Sequence, residues 1–168
     1  MTETISSISQ LPNRPAVYAM YGGRGRGLHV AYVGVAGKLK SRIAQHLIRR
    51  DSSVATGTSA VVLNPDYVTQ VRWWEHPRFA ERHALEAAEL VAFDLLNPAL
   101  RSRGVASEQA RKLYDDESFR EEMQVLFSEP PICRLVIPTL QDALERIRRL
   151  EQRLAFLEKR VAESENVD

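Results

Sequence analysis

Apolar and polar positions along the chain fall into segments of two different periods. Ala16–Tyr21 (AVYAMY) and Leu28–Val35 (LHVAYVGV) are short, β-branched and aromatic, and predict two antiparallel strands. Gly22–Gly27 (GGRGRG) between them suits neither a helix nor a strand interior and predicts a flexible hairpin tip. Its glycines do not make a phosphate-cradling loop, because no GKS or GKT follows and a strand comes next instead of a helix. Lys38–Arg50 changes to a helical period. Leu39, Ile43, Leu47 and Ile48 form one apolar stripe, and Arg42 and His46, four positions apart, share the adjoining face.

The pattern continues with a third strand at Tyr67–Glu75 (YVTQVRWWE), which sends Trp73 and Trp74 to opposite faces. One of them belongs to a core. The other is left for interface packing or for stacking on a base. Arg78–Leu96 is rich in Ala, Leu and Glu and predicts a helix that stops at Asn97-Pro98. Two further helices are expected at about 107–115 and 117–127. ICRLVIP, from Ile132, reads as an extended segment that packs on the domain or forms a short edge strand. Residues 1–14 read as a poorly ordered lead-in, and residues 51–66 as a loop.

From Thr139 to Val161 the apolar positions follow heptads. Leu140, Ile147, Leu154 and Val161 take position a, and Ala143, Leu150 and Leu157 take d. Arg146 and Arg153 at g face Glu151 and Glu158 at the next e of a parallel partner, opposite in sign in both pairs. The segment reads as a dimeric coiled coil, with a helix folded back on its own domain as the alternative. The expected organisation is a domain over 1–104, a helical extension over 105–138 and a coiled-coil tail over 139–168. The expected fold class is α+β: a small, mainly antiparallel three-stranded sheet flanked by helices, followed by additional helices and the tail.

Composition changes this picture little. The 168 residues are 44% hydrophobic and 27% charged, as in ordinary globular proteins. No apolar run is long enough to span a membrane, and the polar N-terminus lacks a signal-peptide core. The single cysteine, Cys133, allows no internal disulfide and suits a reducing cytoplasm. Charge distribution says more. The net charge is only +1, yet residues 1–50 carry Arg14, Arg24, Arg26, Lys38, Lys40, Arg42, Arg49 and Arg50 against Glu3 alone. Such a basic half fits either a solvated face or a surface turned toward a polyanion.

Four motifs in order carry a resemblance. Ala16-Val17-Tyr18, Tyr32-Val33-Gly34, the Leu39/Arg42/His46 pattern and the glutamate-bearing helix that ends at Asn97-Pro98 together resemble the GIY-YIG nuclease superfamily over about residues 10–103. Alanine stands at the first motif's glycine, and Arg101 stands where the family has asparagine. The resemblance implies a metal-dependent endonuclease that hydrolyses DNA. In that reading Tyr18 is the general base, Tyr32 a hydrogen-bonding partner of phosphate or water, and Arg42 the phosphate clamp. His46 shares proton transfer or binds phosphate. Glu89, with Glu86 as the alternative, holds Mg2+ or Mn2+.

The residue types suit that chemistry. Phosphodiester hydrolysis needs an activated water and neutralised phosphoryl oxygens. A guanidinium fork fits phosphate, and magnesium keeps most of its waters, so one carboxylate is enough to hold it. Arg42 and a metal are expected to favour the Tyr18 phenolate. Arg24, Arg26, Lys38, Lys40, Arg49 and Arg50 are the expected nucleic-acid contacts. The expected partners are DNA and a second copy of the chain, with no membrane. The competing readings are a non-catalytic nucleic-acid-binding dimer on the same scaffold and a purely structural adaptor.

Overall fold

A computed structural model describes residues 2–23, 27–49, 65–101, 105–138 and 140–165. The expected loop at 51–66 lies almost wholly outside these residues, as do Arg24, Arg26 and Arg50. The protein is α+β. It divides into two compact units, Met1–Ile137 and Pro138–Asp168.

The first unit is built on β2 (Ala16–Gly22), whose every residue is buried. An uninterrupted apolar strand of this kind needs cover on both faces. β3 (His29–Ala36) pairs with it antiparallel on one side and β4 (Val68–Trp74) antiparallel on the other. These are the three strands expected from the sequence, but they are the centre of a larger sheet. β1 (Glu3–Ile5) pairs in parallel with β6 (Cys133–Val136), and β6 pairs antiparallel with β4. At the opposite edge β5 (Leu100–Arg101) pairs in parallel with β3. The sheet is therefore mixed and six-stranded, in the order β1-β6-β4-β2-β3-β5.

The residues expected to be a disordered lead-in are thus tied down. Their partner strand is more than a hundred residues away, beyond the reach of local pattern. Between β1 and β2, Ile8–Gln10 form a 3-10 turn closed by a capping box of Ser7 and Gln10.

Alternation along β2 splits the core in two. Val17, Ala19 and Tyr21 face α2 (Arg82–Leu96), α3 (Glu108–Tyr114) and α4 (Glu117–Ser128). Ala84, Ala87, Ala88 and Ala92 are almost fully buried in α2, and their small side chains let that helix approach the sheet closely. Asn97 ends α2 in the left-handed region (φ 43°), and Ala99 N–H then donates to Val30 O at 3.0 Å, pinning the helix end to β3. Ser107 caps α3 and Asp116 caps α4, so Phe119, Met123 and Phe127, spaced i, i+4, i+8, enter the core in register.

Ala16, Tyr18 and Met20 face the other way, against α1 (Leu39–Ala44), Ile5, Leu11, Trp73 and Leu135. Trp73 and Trp74 do lie on opposite faces, but both are buried, one in each core. Neither is available to stack on a base. Trp74 meets Phe127 edge to face at 5.4 Å.

The helix expected over Lys38–Arg50 is not one regular helix. α1 ends at Ala44 and continues as a π-turn over Gln45–Arg49. Leu39 and Ile43 are buried as expected, but Ile48 is 67% exposed while His46 is 3% exposed. The polar residue takes the inward position because a hydrogen-bond partner waits there.

In the second unit, α5 (Leu140–Glu165) is a single helix. Ile147, Leu150, Leu154 and Leu157, the central a and d positions of its heptads, are half-exposed. No helix among the described residues is long and apolar enough to cross a membrane.

Candidate active site

Strand register sets the site. Tyr18 in β2 stands opposite Gly34 in β3, and Tyr32 lies two residues before Gly34, on the same face. Both phenol rings lean over the glycine. A Cβ built on Gly34 would lie 2.7 Å from Tyr32 Cε1, 2.8 Å from Tyr32 Oη and 2.9 Å from Tyr18 Oη. Gly34 is the empty position that lets two tyrosine hydroxyls share one buried spot. A glycine inside a strand was the sequence signal for such a close approach.

α1 closes this spot from the side. His46 completes a triangle of rings, with centroids 6.0 Å apart for Tyr18–Tyr32, 5.9 Å for Tyr18–His46 and 5.6 Å for Tyr32–His46. Tyr18 Oη and His46 Nε2 are 2.8 Å apart. Arg42 joins the same cluster, coupling to both phenols by charge and hydrogen bonding. It also donates from Nη1 to Gln45 Oε1 at 3.4 Å. The π-turn lies between Arg42 and the end of the segment that presents His46, a placement in which π-turns often re-aim functional side chains.

The electrostatics of the side chains alone bear on one expectation, the influence of Arg42 on Tyr18. Burial holds the Tyr18 phenol well above its usual pKa of 10.0, and Tyr32 adds to that; Arg42 pulls the other way and loses. Tyr18 is therefore a protonated phenol in this geometry, not a phenolate favoured by Arg42. Burial also raises Tyr32, with the Glu89 carboxylate as the next cause. His46 is lowered to about 4, by burial first and the Arg42 charge second, so it is a neutral imidazole at pH 7. Burial works against the charge on Arg42, but the two phenols outweigh it. Two polar atoms in the cluster, Arg42 Nε and His46 Nδ1, are buried with no hydrogen-bond partner. Unpaired buried polar atoms are uncommon and call for an explanation.

The two candidate glutamates have different surroundings. Glu86 accepts from Arg82 Nε at 2.8 Å and from the Ser107 N–H at 3.1 Å. These bonds hold its carboxyl below the usual range and tie α2 to the start of α3. Glu89, three residues and about one turn further along α2, is felt electrostatically at Tyr32. Among the described residues no three His, Cys, Asp or Glu side chains gather as a ready-made metal cage.

The expected nucleic-acid contacts fare unevenly. Lys38 and Arg49 are exposed. Lys40 Nζ donates to the Ser9 carbonyl at 2.8 Å, which makes it an anchor for the N-terminal turn. Arg14, part of the same basic half, pairs with Glu75 at 3.3 Å. Arg101 lies in β5 with its backbone in register with Val33. No protein-family model, curated protein or solved structure matches the chain.

Proposed function

We propose that the protein is a metal-dependent endonuclease of the GIY-YIG type that hydrolyses phosphodiester bonds in DNA. The observation that carries this reading is the cluster of Tyr18, Tyr32, Arg42 and His46 around Gly34, with unpaired Arg42 Nε and His46 Nδ1 buried inside it. A phosphate oxygen is the natural partner for an unpaired guanidinium N–H in a site that already holds a positive charge.

The protonation states prescribe a relay. The relay takes the tautomer in which the Tyr18 phenol O–H donates to Nε2 and the imidazole proton sits on Nδ1. As water attacks phosphorus, its proton passes to the Tyr18 oxygen while the Tyr18 proton passes to His46 Nε2. A histidine of pKa about 4 is a weak base, and the charge of Arg42 is one cause. A phosphate bound to Arg42 offsets that charge, so substrate raises the basicity of His46 when it is needed. Tyr32 holds the attacking water or a phosphoryl oxygen. Glu89 fits a magnesium ion that keeps most of its waters, since one carboxylate beside the cluster suffices. When bound there, the ion supplies charge neutralisation at the leaving oxygen.

α5 completes the proposal with dimerisation. Its exposed a and d row and the Arg146–Glu151 and Arg153–Glu158 pairings suit a parallel two-stranded coil, which brings two sites to one duplex. The test is incubation of supercoiled, branched and single-stranded DNA with magnesium, comparing wild type, Glu89→Gln and Glu86→Gln. Glu89→Gln abolishes cleavage and Glu86→Gln retains it. Undiminished cutting by Glu89→Gln refutes the assignment. Salt-dependent binding without cleavage in magnesium or manganese selects the non-catalytic binder.

A further inference from the structure

A cavity lies on the β1 side of the sheet, and none of the residues of the tyrosine cluster is among those that line it. It has a volume of about 560 Å3, within the range of small-ligand and peptide pockets. Trp73 and Trp74 form part of its wall, with Pro130, Pro131 and the 87% exposed Ile132. Its charged groups are Glu3, Glu75 and Glu129, and no lysine, arginine or histidine is among the described residues that line it. Arg14 meets Glu75 from outside the lining, at 3.3 Å. The Glu3 carboxylate reaches Cys133 in the wall, where burial and that charge together hold the thiol above its usual range. Trp74 Nε1–H is buried and has no acceptor.

We propose that this cavity binds an extended peptide segment of a partner protein that carries an arginine or lysine. Two features select that occupant. The tryptophan and proline walls take apolar stems and flanking prolines. The carboxylates favour a cation and repel a phosphate backbone, so this cavity is not an extension of the nucleic-acid surface.

The two tryptophans of the chain both line the cavity, so intrinsic emission reports on it directly. The full chain is titrated with acetyl-Pro-Arg-Pro-amide, with neutral acetyl-Pro-Gln-Pro-amide and with tetramethylammonium. The arginine peptide changes the emission saturably and binds at least about fivefold more tightly than the glutamine peptide. Glu3→Gln combined with Glu129→Gln, both at exposed positions, erases that preference. Ile132→Lys, also exposed, puts a cation in the mouth and blocks binding without touching the core. Equal affinity for the two peptides overturns the proposal. So does the absence of any response to the arginine peptide at millimolar concentration, or a response to tetramethylammonium as strong as the peptide's.

Discussion

Gly34→Ala is the smallest change that should dismantle the tyrosine cluster. The added methyl would lie 2.7 to 2.9 Å from three atoms of Tyr32 and Tyr18. Carbon contacts settle at about 3.5–4.0 Å, so at least one ring must retreat by roughly 0.8 Å. Both rings are buried, Tyr18 completely and Tyr32 at 2% exposure, so neither can swing into solvent. Overpacking of this kind costs about 1–3 kcal/mol. Tyr18 Oη, 2.9 Å from the added methyl, must shift as well, which disturbs its 2.8 Å contact with His46 Nε2. A misplacement of about 1 Å in a reacting group costs roughly a hundredfold in rate. Urea unfolding should therefore show a loss of about 1–3 kcal/mol, and plasmid nicking should fall roughly a hundredfold. A double-mutant cycle isolates the cause. Tyr32→Ala removes two of the three close contacts, so in the Gly34→Ala background it costs less than in wild type. Strict additivity of the two substitutions, or Gly34→Ala stability within about 0.5 kcal/mol of wild type, refutes the packing argument.

His46 makes stability depend on pH. Its folded pKa of about 4 lies below the ordinary 6.5, so between those values the unfolded chain binds a proton that the folded chain refuses. Stability is full above pH 6.5 and falls as pH drops toward 4, by up to about 3 kcal/mol. Denaturant unfolding across that range should show the fall, and His46→Gln should flatten it; equal slopes in both proteins refute the assignment. Tyr18→Phe strands the His46 ring without its 2.8 Å partner and should cost about 1–3 kcal/mol, with loss of cleavage. An unfolding midpoint equal to that of wild type would contradict it. Phe119→Ala, at 1% exposure between α4 and the sheet, should cost about 3–5 kcal/mol by urea unfolding. A loss below about 1 kcal/mol would remove it from the core. A chain ending at Ile137 should sediment as a monomer at concentrations where the full chain is dimeric. A monomeric full chain would show that α5 does not self-associate.

Pattern along the chain was enough for the elements whose signals are local. The apolar run AVYAMY and the β-branched LHVAYVGV became β2 and β3 to within a residue or two, and Asn97-Pro98 ended α2 at Leu96. The same holds for α3 and α4, where Ser107 and Asp116 supply the caps. Local pattern also placed Arg42 and His46 on neighbouring positions of one helical segment. It could not find the parallel pairing of β1 with β6, because a three-residue strand carries no signal until its partner is present. It misjudged Ile48 for the same kind of reason. Hydropathy favours burying isoleucine over histidine, but a π-turn and a tyrosine hydroxyl reverse the order at this position.

The sequence by itself determined which chemical groups this protein possesses and which strands and helices carry them. Only the tertiary structure decided how those groups are tuned. Strand register put two phenols over one glycine, and burial there raised Tyr18 against the pull of Arg42 and lowered His46 together with that same charge. Packing of α3 against α2 occupied Glu86 with a backbone N–H, while the Glu89 charge is felt at Tyr32. Desolvation and proximity are sums over atoms distant in sequence, so no reading of the chain in order could contain them.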